Sequence, residues 1–321
     1  MTSSELWNRA TADRYDTEEA ETSSPAVLEP TLAFLAELAG NDRALEFAQF
    51  LADNYGITDW TSAGPAGRCA GPEPRPVRPG PRSRECGMNT SPSVSAIGDI
   101  VITARPFTDY TAQFALTTDD LLAGPVLDCA GGASDFAATV RSLGGTAVST
   151  DPAYRQSPSH LTHRVERDLN RVRQWTATQP DRFPLDESGQ WTHAQRWNTA
   201  AGHFLEDFRR DRNENTGHYR AASLPSLPFP DDSFTLAVSG FLLFTYPGHF
   251  DLAFHLAAIR ELTRVSADVR LHPLNDSAQT PFRALPRLLH HLAEDGTRTE
   301  LFTVQGQSDS RDTATLRLTR R

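Results

Sequence analysis

The run Val126-Leu-Asp-Cys-Ala-Gly-Gly-Ala-Ser-Asp-Phe136, followed by Val148-Ser-Thr-Asp-Pro152, constrains this chain more than any other stretch. Residues 125–128 are a short, mostly apolar run feeding a turn built only of small residues. From Ser134 onward Phe136, Val140 and Leu143 fall at helical spacing, so the turn opens a helix. Gly144-Gly145 stops it, and residues 146–150 read as a second strand ending in Asp151. Strand, small-residue turn, helix and acid-terminated strand together form a nucleotide-binding half-unit. Such a turn brings backbone N–H groups and a helix N-terminus to an anionic group, and the acid accepts hydrogen bonds from ribose hydroxyls. The competing reading is an α/β crossover that holds no ligand.

Three segments together resemble the class I S-adenosylmethionine-dependent methyltransferases. They are Asp128-Cys-Ala-Gly-Gly-Ala-Ser134, Asp151 about twenty residues on, and Leu227-Pro-Phe-Pro-Asp-Asp-Ser-Phe234. The family's first motif is an acid followed by x-Gly-x-Gly-x-Gly. Here the acid is Asp128 and the middle glycine Gly132, while Ala130 and Ser134 stand where glycines are usual and Gly131 is added. The resemblance implies a Rossmann-like, doubly wound α/β fold of seven mainly parallel strands closed by a C-terminal antiparallel hairpin. It implies S-adenosyl-L-methionine as cofactor. Asp128, Ala130, Gly131 and Gly132 would lie at the methionine end, Asp151 and Pro152 at the ribose, and Ser223 and Leu224 at the adenine, where the family usually has an acid before an apolar residue. Tyr110 or Phe107 would approach the methionine tail, unless both are core. A degenerate S-adenosylmethionine-binding protein without catalysis, or another nucleotide-binding Rossmann-like enzyme, would share most of these features.

Composition bounds the partners. All 31 basic residues are arginine, and the net charge is -10. The acidity weighs against sequence-independent binding to DNA or RNA and favours a small-molecule substrate. Ser239-Gly-Phe-Leu also lacks the Asn-Pro-Pro-Tyr signature of amine-modifying nucleic-acid methyltransferases. Cys69, Cys86 and Cys129 form no CxxC, which indicates a reduced, cytoplasmic setting. No apolar run reaches the roughly 18 residues of a membrane span, and the polar start from Met1 to Arg14 is no signal peptide.

The chain divides into three parts. Residues 1–63 read as a helical appendage resembling the truncated start of a second methyltransferase, with Leu45-Glu46 where its own motif would begin. Residues 64–89 are a Pro/Gly/Arg-rich disordered linker, too poor in apolar surface to offset its ordering entropy. Residues 90–321 are the methyltransferase-like domain. Within it, residues 155–220 exceed the single crossover helix a bare sheet needs. They contain helices over 161–175 and 194–210 and no convincing strand, and we read them as a lid that selects the acceptor. Its aromatics Trp175, Trp191, Trp197, Phe204 and Tyr219 suit either a pocket or interhelical packing.

Methyl transfer from a sulfonium asks the protein to align nucleophile, methyl and sulfur and to exclude water. A base is needed only for a protonated, weakly acidic acceptor. Candidate bases are Tyr246 and His249, with His218 on the insertion side. His160 and His163 could share a helical face, but no third ligand is spaced with them, so no metal site is read. No motif names the methyl acceptor or an oligomeric state.

Overall fold

The structure, a computed structural model, describes residues 96–246, 248–304, 309 and 312–320. The 1–63 appendage, the 64–89 linker and the start of the 90–321 domain fall outside the described residues.

Seven strands form one sheet in the order β3-β2-β1-β4-β5-β7-β6. They are β1 (Pro125–Cys129), β2 (Thr146–Thr150), β3 (Tyr219–Arg220), β4 (Phe234–Gly240), β5 (Ser266–His272), β6 (Thr297–Thr303) and β7 (Ala314–Arg320). Strands β1 to β5 pair in parallel, and β7 runs antiparallel between β5 and β6. The register sets Leu127 beside Val148 on one side and Ala237 on the other. The central strands are nearly continuous apolar runs because helices cover both faces of a parallel sheet. Alternate residues separate accordingly. Val126, Leu236 and Val238 join one core, and Leu127, Ala237, Val269 and Leu271 join the other.

The first core is completed by α1 (Phe107–Gln113), α2 (Thr118–Leu122) and α3 (Phe136–Ser142). Helix α2 starts where the acids of its first turn predict. Thr117 Oγ1 accepts from Asp120 N–H at 3.2 Å, and the Asp120 carboxylate accepts from Thr117 N–H at 2.9 Å. Gly144, at φ 91°, ends the chain's excursion after α3 in a conformation that side chains resist. The second core lies under α6 (Leu252–Val265) and α7 (Leu285–Glu294).

A third core belongs to α4 (Pro158–Ala177) and α5 (Ala194–Glu214). Ser157 caps α4 ahead of Pro158, and α5 ends on Asn215 in the left-handed region at φ 53°. These two helices pack against Val101, Ile102 and Ala104 and against Ala133 and Tyr154, which follow β1 and β2. Strand β3 corrects the sequence reading of residues 152–222 as strandless. Its two residues stand in register with Ser149 and Thr150 of β2, too short a ladder to leave an alternating signature. The apolar run 100–103 forms no strand. Its Thr103 O accepts from Ala133 N–H, in the loop after β1, at 2.8 Å.

Candidate functional site

Strand order reverses between β1 and β4, and doubly wound sheets bind ligands at such a switch point, outside the carboxyl ends of the strands. Asp128 near the end of β1 and Asp151 just after β2 flank it. Asp128 is buried, accepting from Tyr110 Oη at 3.2 Å and from Ser149 Oγ at 3.2 Å. Burial pushes its pKa up to about 7 against those hydrogen bonds, and the Asp151 charge adds to the rise. Asp151 accepts from Ala153 N–H at 2.8 Å and Gly132 N–H at 3.3 Å, and burial raises it as well. Cys129 is likewise buried, which lifts its thiol to about 12 and leaves it a packing group.

The small-residue loop is engaged by the chain itself. Gly131 N–H donates to Thr150 O at 3.0 Å, Ala133 N–H to Thr103 O at 2.8 Å and Ser134 N–H to Gly131 O at 3.2 Å. Ser134 Oγ donates to Arg105 O at 2.7 Å, and Phe107 N–H to Asp135 Oδ1 at 2.7 Å. Both glycines have internal reasons. A Cβ on Gly131 would stand 1.8 Å from Ser149 Oγ, and one on Gly132, at φ 57°, would stand 2.8 Å from Thr103 O. Tyr154 Oη closes the loop by donating to Gly132 O at 2.8 Å. Thr103, Ser149 and Tyr154 thus stand against Gly131 and Gly132, the glycines that the resemblance assigns to the methionine end of the cofactor.

Around the loop, Ala130 and residues 240–242 are half-buried, while Pro152 and Ser223 are exposed and Leu224 is buried. Tyr246 is buried, its Oη accepting from Val101 N–H at 3.3 Å, and burial raises its pKa. The His249 ring lies 5.8 Å from the Tyr246 ring. His218 stays with the end of α5, its Nδ1 3.0 Å from Thr216 Oγ1. Tyr110 and Phe107 both stack on Phe136, at 4.6 and 5.9 Å between centroids.

Acids at the ends of adjacent parallel strands, the switch point and the antiparallel seventh strand decide the fold. It is a Rossmann-like, doubly wound α/β fold with an antiparallel strand inserted at one end. No family model matches the sequence. A protein of Methanocaldococcus jannaschii, itself uncharacterized, is 27% identical over 179 residues, covering 55% of this chain and 78% of that protein. Magnesium protoporphyrin IX methyltransferase of Synechocystis, solved with bound S-adenosylmethionine, superposes with a TM-score of 0.34 at 12% identity, over 67% of this chain and 83% of its own. A putative RNA methyltransferase of Pyrococcus horikoshii gives 0.34 at 9% identity, over 65% and 83%. A methyltransferase of Methanosarcina mazei gives 0.31 at 14%, over 61% and 92%. At these scores the fold assignment rests on the strand order. No helix among the described residues is long and apolar enough to cross a membrane.

Beside the switch point the fold forms a partly open cavity of about 50 Å³ between the helical pair and the ends of β4 and β5. Trp175, Trp191 and Trp197 line it with Phe241, Tyr246 and Arg105. The predicted lid aromatics thus divide. The three tryptophans face the cavity, whereas Phe204 and Tyr219 pack with Tyr154 and Phe208 in a ring cluster at 5.4–5.7 Å. Arg105 lies over the Phe241 ring, 3.1 Å from its centroid, and 4.8 Å from that of Trp197. Burial draws its pKa down to about 10, against the nearby Tyr110 and Tyr246 phenols and Asp312.

Proposed function

We propose that residues 90–321 form an S-adenosylmethionine-dependent methyltransferase acting on a small or medium organic acceptor, with residues 155–220 as the lid that selects it. The carrying observation is the pair of acids, Asp128 and Asp151, held on adjacent strand ends at the switch point of this sheet. The cofactor's place would be the crevice between the ends of β1 and β4, against Ala130, Asp151, Pro152, Ser223 and Leu224. The acceptor would lie on the Tyr246 and His249 side. Tyr246, with its pKa raised and its hydroxyl held by Val101, suits orientation of the acceptor better than proton removal.

Calorimetric titration of the full chain with S-adenosylmethionine, S-adenosylhomocysteine and NAD tests this reading. Micromolar binding of the first two is expected, and Asp151→Ala should weaken it by about 1.5–3 kcal/mol, the range for a hydrogen bond to a charged group. Preference for NAD would indicate another nucleotide-binding enzyme. A second reading, a degenerate domain that keeps the fold without methyl transfer, is favoured by the loop N–H groups spent on Thr150, Asp151 and Thr103. Absence of binding to all three ligands would establish it.

A further inference from the structure

Buried arginines in this domain normally have carboxylates. Arg182 pairs with Asp309, and Arg270 with Asp120 at 3.0 Å and Asp268 at 3.1 Å. Arg105 differs. Its Nη1 donates to Thr103 Oγ1 at 2.7 Å, its buried Nε has no hydrogen-bond partner, and no carboxylate lies within ion-pair distance among the described residues. Three more polar groups lining the same cavity are also buried and unpartnered: Trp191 Nε1, Trp197 Nε1 and Thr245 Oγ1. Those tryptophans are each 3% exposed, so neither can turn its N–H to bulk water. Buried polar atoms are nearly always paired, and four orphans around one cavity need a common explanation.

Their chemistry supplies one. Guanidinium and indole N–H groups only donate, and a hydroxyl can donate, so the set converges on an acceptor-rich group. The guanidinium is also flanked by the faces of Phe241 and Trp197, which favours a planar partner over a hydrated point charge. At about 50 Å³ the cavity holds a few atoms of water size, the bulk of a carboxylate head. The acids on the wall do not fill this role: Asp276 Oδ1 accepts from Ala278 N–H at 2.8 Å and Thr280 N–H at 2.9 Å. Asp309 is held by Arg182, and Asp312 Oδ1 accepts from Asn275 Nδ2 at 3.3 Å and Gln279 Nε2 at 3.0 Å. Phe241 directly follows Gly240, the last residue of β4, so the cavity adjoins the switch-point crevice.

We propose that Arg105, Trp191, Trp197 and Thr245 form the receptor for a carboxylate carried by the methyl acceptor, with Arg105 as the anchoring residue between two aromatic rings. The acceptor is then a small aromatic or otherwise planar carboxylic acid. Its role as acceptor rests on the methyltransferase reading, but the anion site itself does not.

The test is titration of the full chain with benzoate and with its neutral isostere benzamide, without S-adenosylmethionine, followed by calorimetry and tryptophan emission. Benzoate should saturate at about millimolar concentration or below, and benzamide should bind at least about tenfold more weakly. Arg105→Gln should remove most of that difference, while Arg105→Lys, which keeps the charge without the fork, should retain part of it. Unfolding midpoints of both variants report whether the fold is kept. If Arg105→Gln misfolds, Arg105→Lys and Trp197→Phe carry the test through the same ratio. Equal binding of the two ligands, no saturation by benzoate below about 10 mM, or an unchanged ratio in the folded variants would overturn the site. Benzoate binding in a chain that ignores S-adenosylmethionine would keep the anion site and remove the methyltransferase reading. Cofactor binding without benzoate selectivity would do the reverse.

Discussion

The loop after β1 and the cavity beside β4 lie on the same edge of the sheet and treat their polar groups in opposite ways. In the loop, the N–H groups of Gly131, Gly132, Ala133 and Ser134 all donate within the chain, and both glycines are required by the chain's own atoms. In the cavity, Arg105, Trp191, Trp197 and Thr245 keep buried polar atoms without partners. The loop has the conspicuous sequence motif, and the cavity has none. Unsatisfied donors cost folding free energy that a ligand can restore, whereas a satisfied loop gives a ligand little to add. In this arrangement, recognition chemistry has its strongest footing in the cavity.

Substitutions at Arg182 and Arg105 break that contrast most sharply. Arg182→Ala removes the cation from buried Asp309, which keeps the Gln279 amide, and should cost about 3–5 kcal/mol in urea unfolding. Arg105→Gln strands no carboxylate and should cost under about 1 kcal/mol. Comparable losses for the two would show that Arg105 is structural. At the loop, Gly131→Ala should cost about 1–3 kcal/mol through overpacking against Ser149, and adding Ser149→Ala should recover part of it. No recovery would mean that the glycine serves something other than internal packing.

Proton linkage gives a smaller and more specific signal. Asp128 and Asp312 each have pKa values raised to about 7 in the fold, against 3.8 when unfolded, chiefly by burial. The folded state therefore binds more protons than the unfolded one between about pH 4 and pH 7. Their contribution is fully present below about pH 4 and is lost as pH rises through about 7. Asp128→Asn should flatten that part of the decline in chemical unfolding across the window. An unchanged slope would place the Asp128 charge elsewhere. The smallest effect is expected far from both sites, where Thr117→Ala removes the cap of α2 and should cost about 1 kcal/mol by thermal unfolding.

Elements with a strong period could be read in the sequence. Residues 146–150 are β2, and the helical spacing of Phe136 and Val140 belongs to α3, because burying one face imposes a repeat. Helices α4 and α5 extend beyond the predicted 161–175 and 194–210, since caps and end turns carry no apolar repeat. Strand β3 was missed for the same reason. Asp128, the loop and Asp151 could be located because a motif joins residues close in sequence. Arg105 was not singled out, because its meaning depends on Phe241, Trp197 and an absent carboxylate, all remote along the chain.

The amino-acid order alone determined the strand–turn–helix–strand unit and the two acids that end its strands. Local period and turn chemistry suffice for these. Tertiary structure decided that residues 97–105 meet the loop, that the aromatics of residues 155–220 split between packing and cavity, and that Arg105 has no carboxylate within ion-pair distance among the described residues. Those outcomes depend on which groups meet across long separations in the chain, and no local pattern records such meetings.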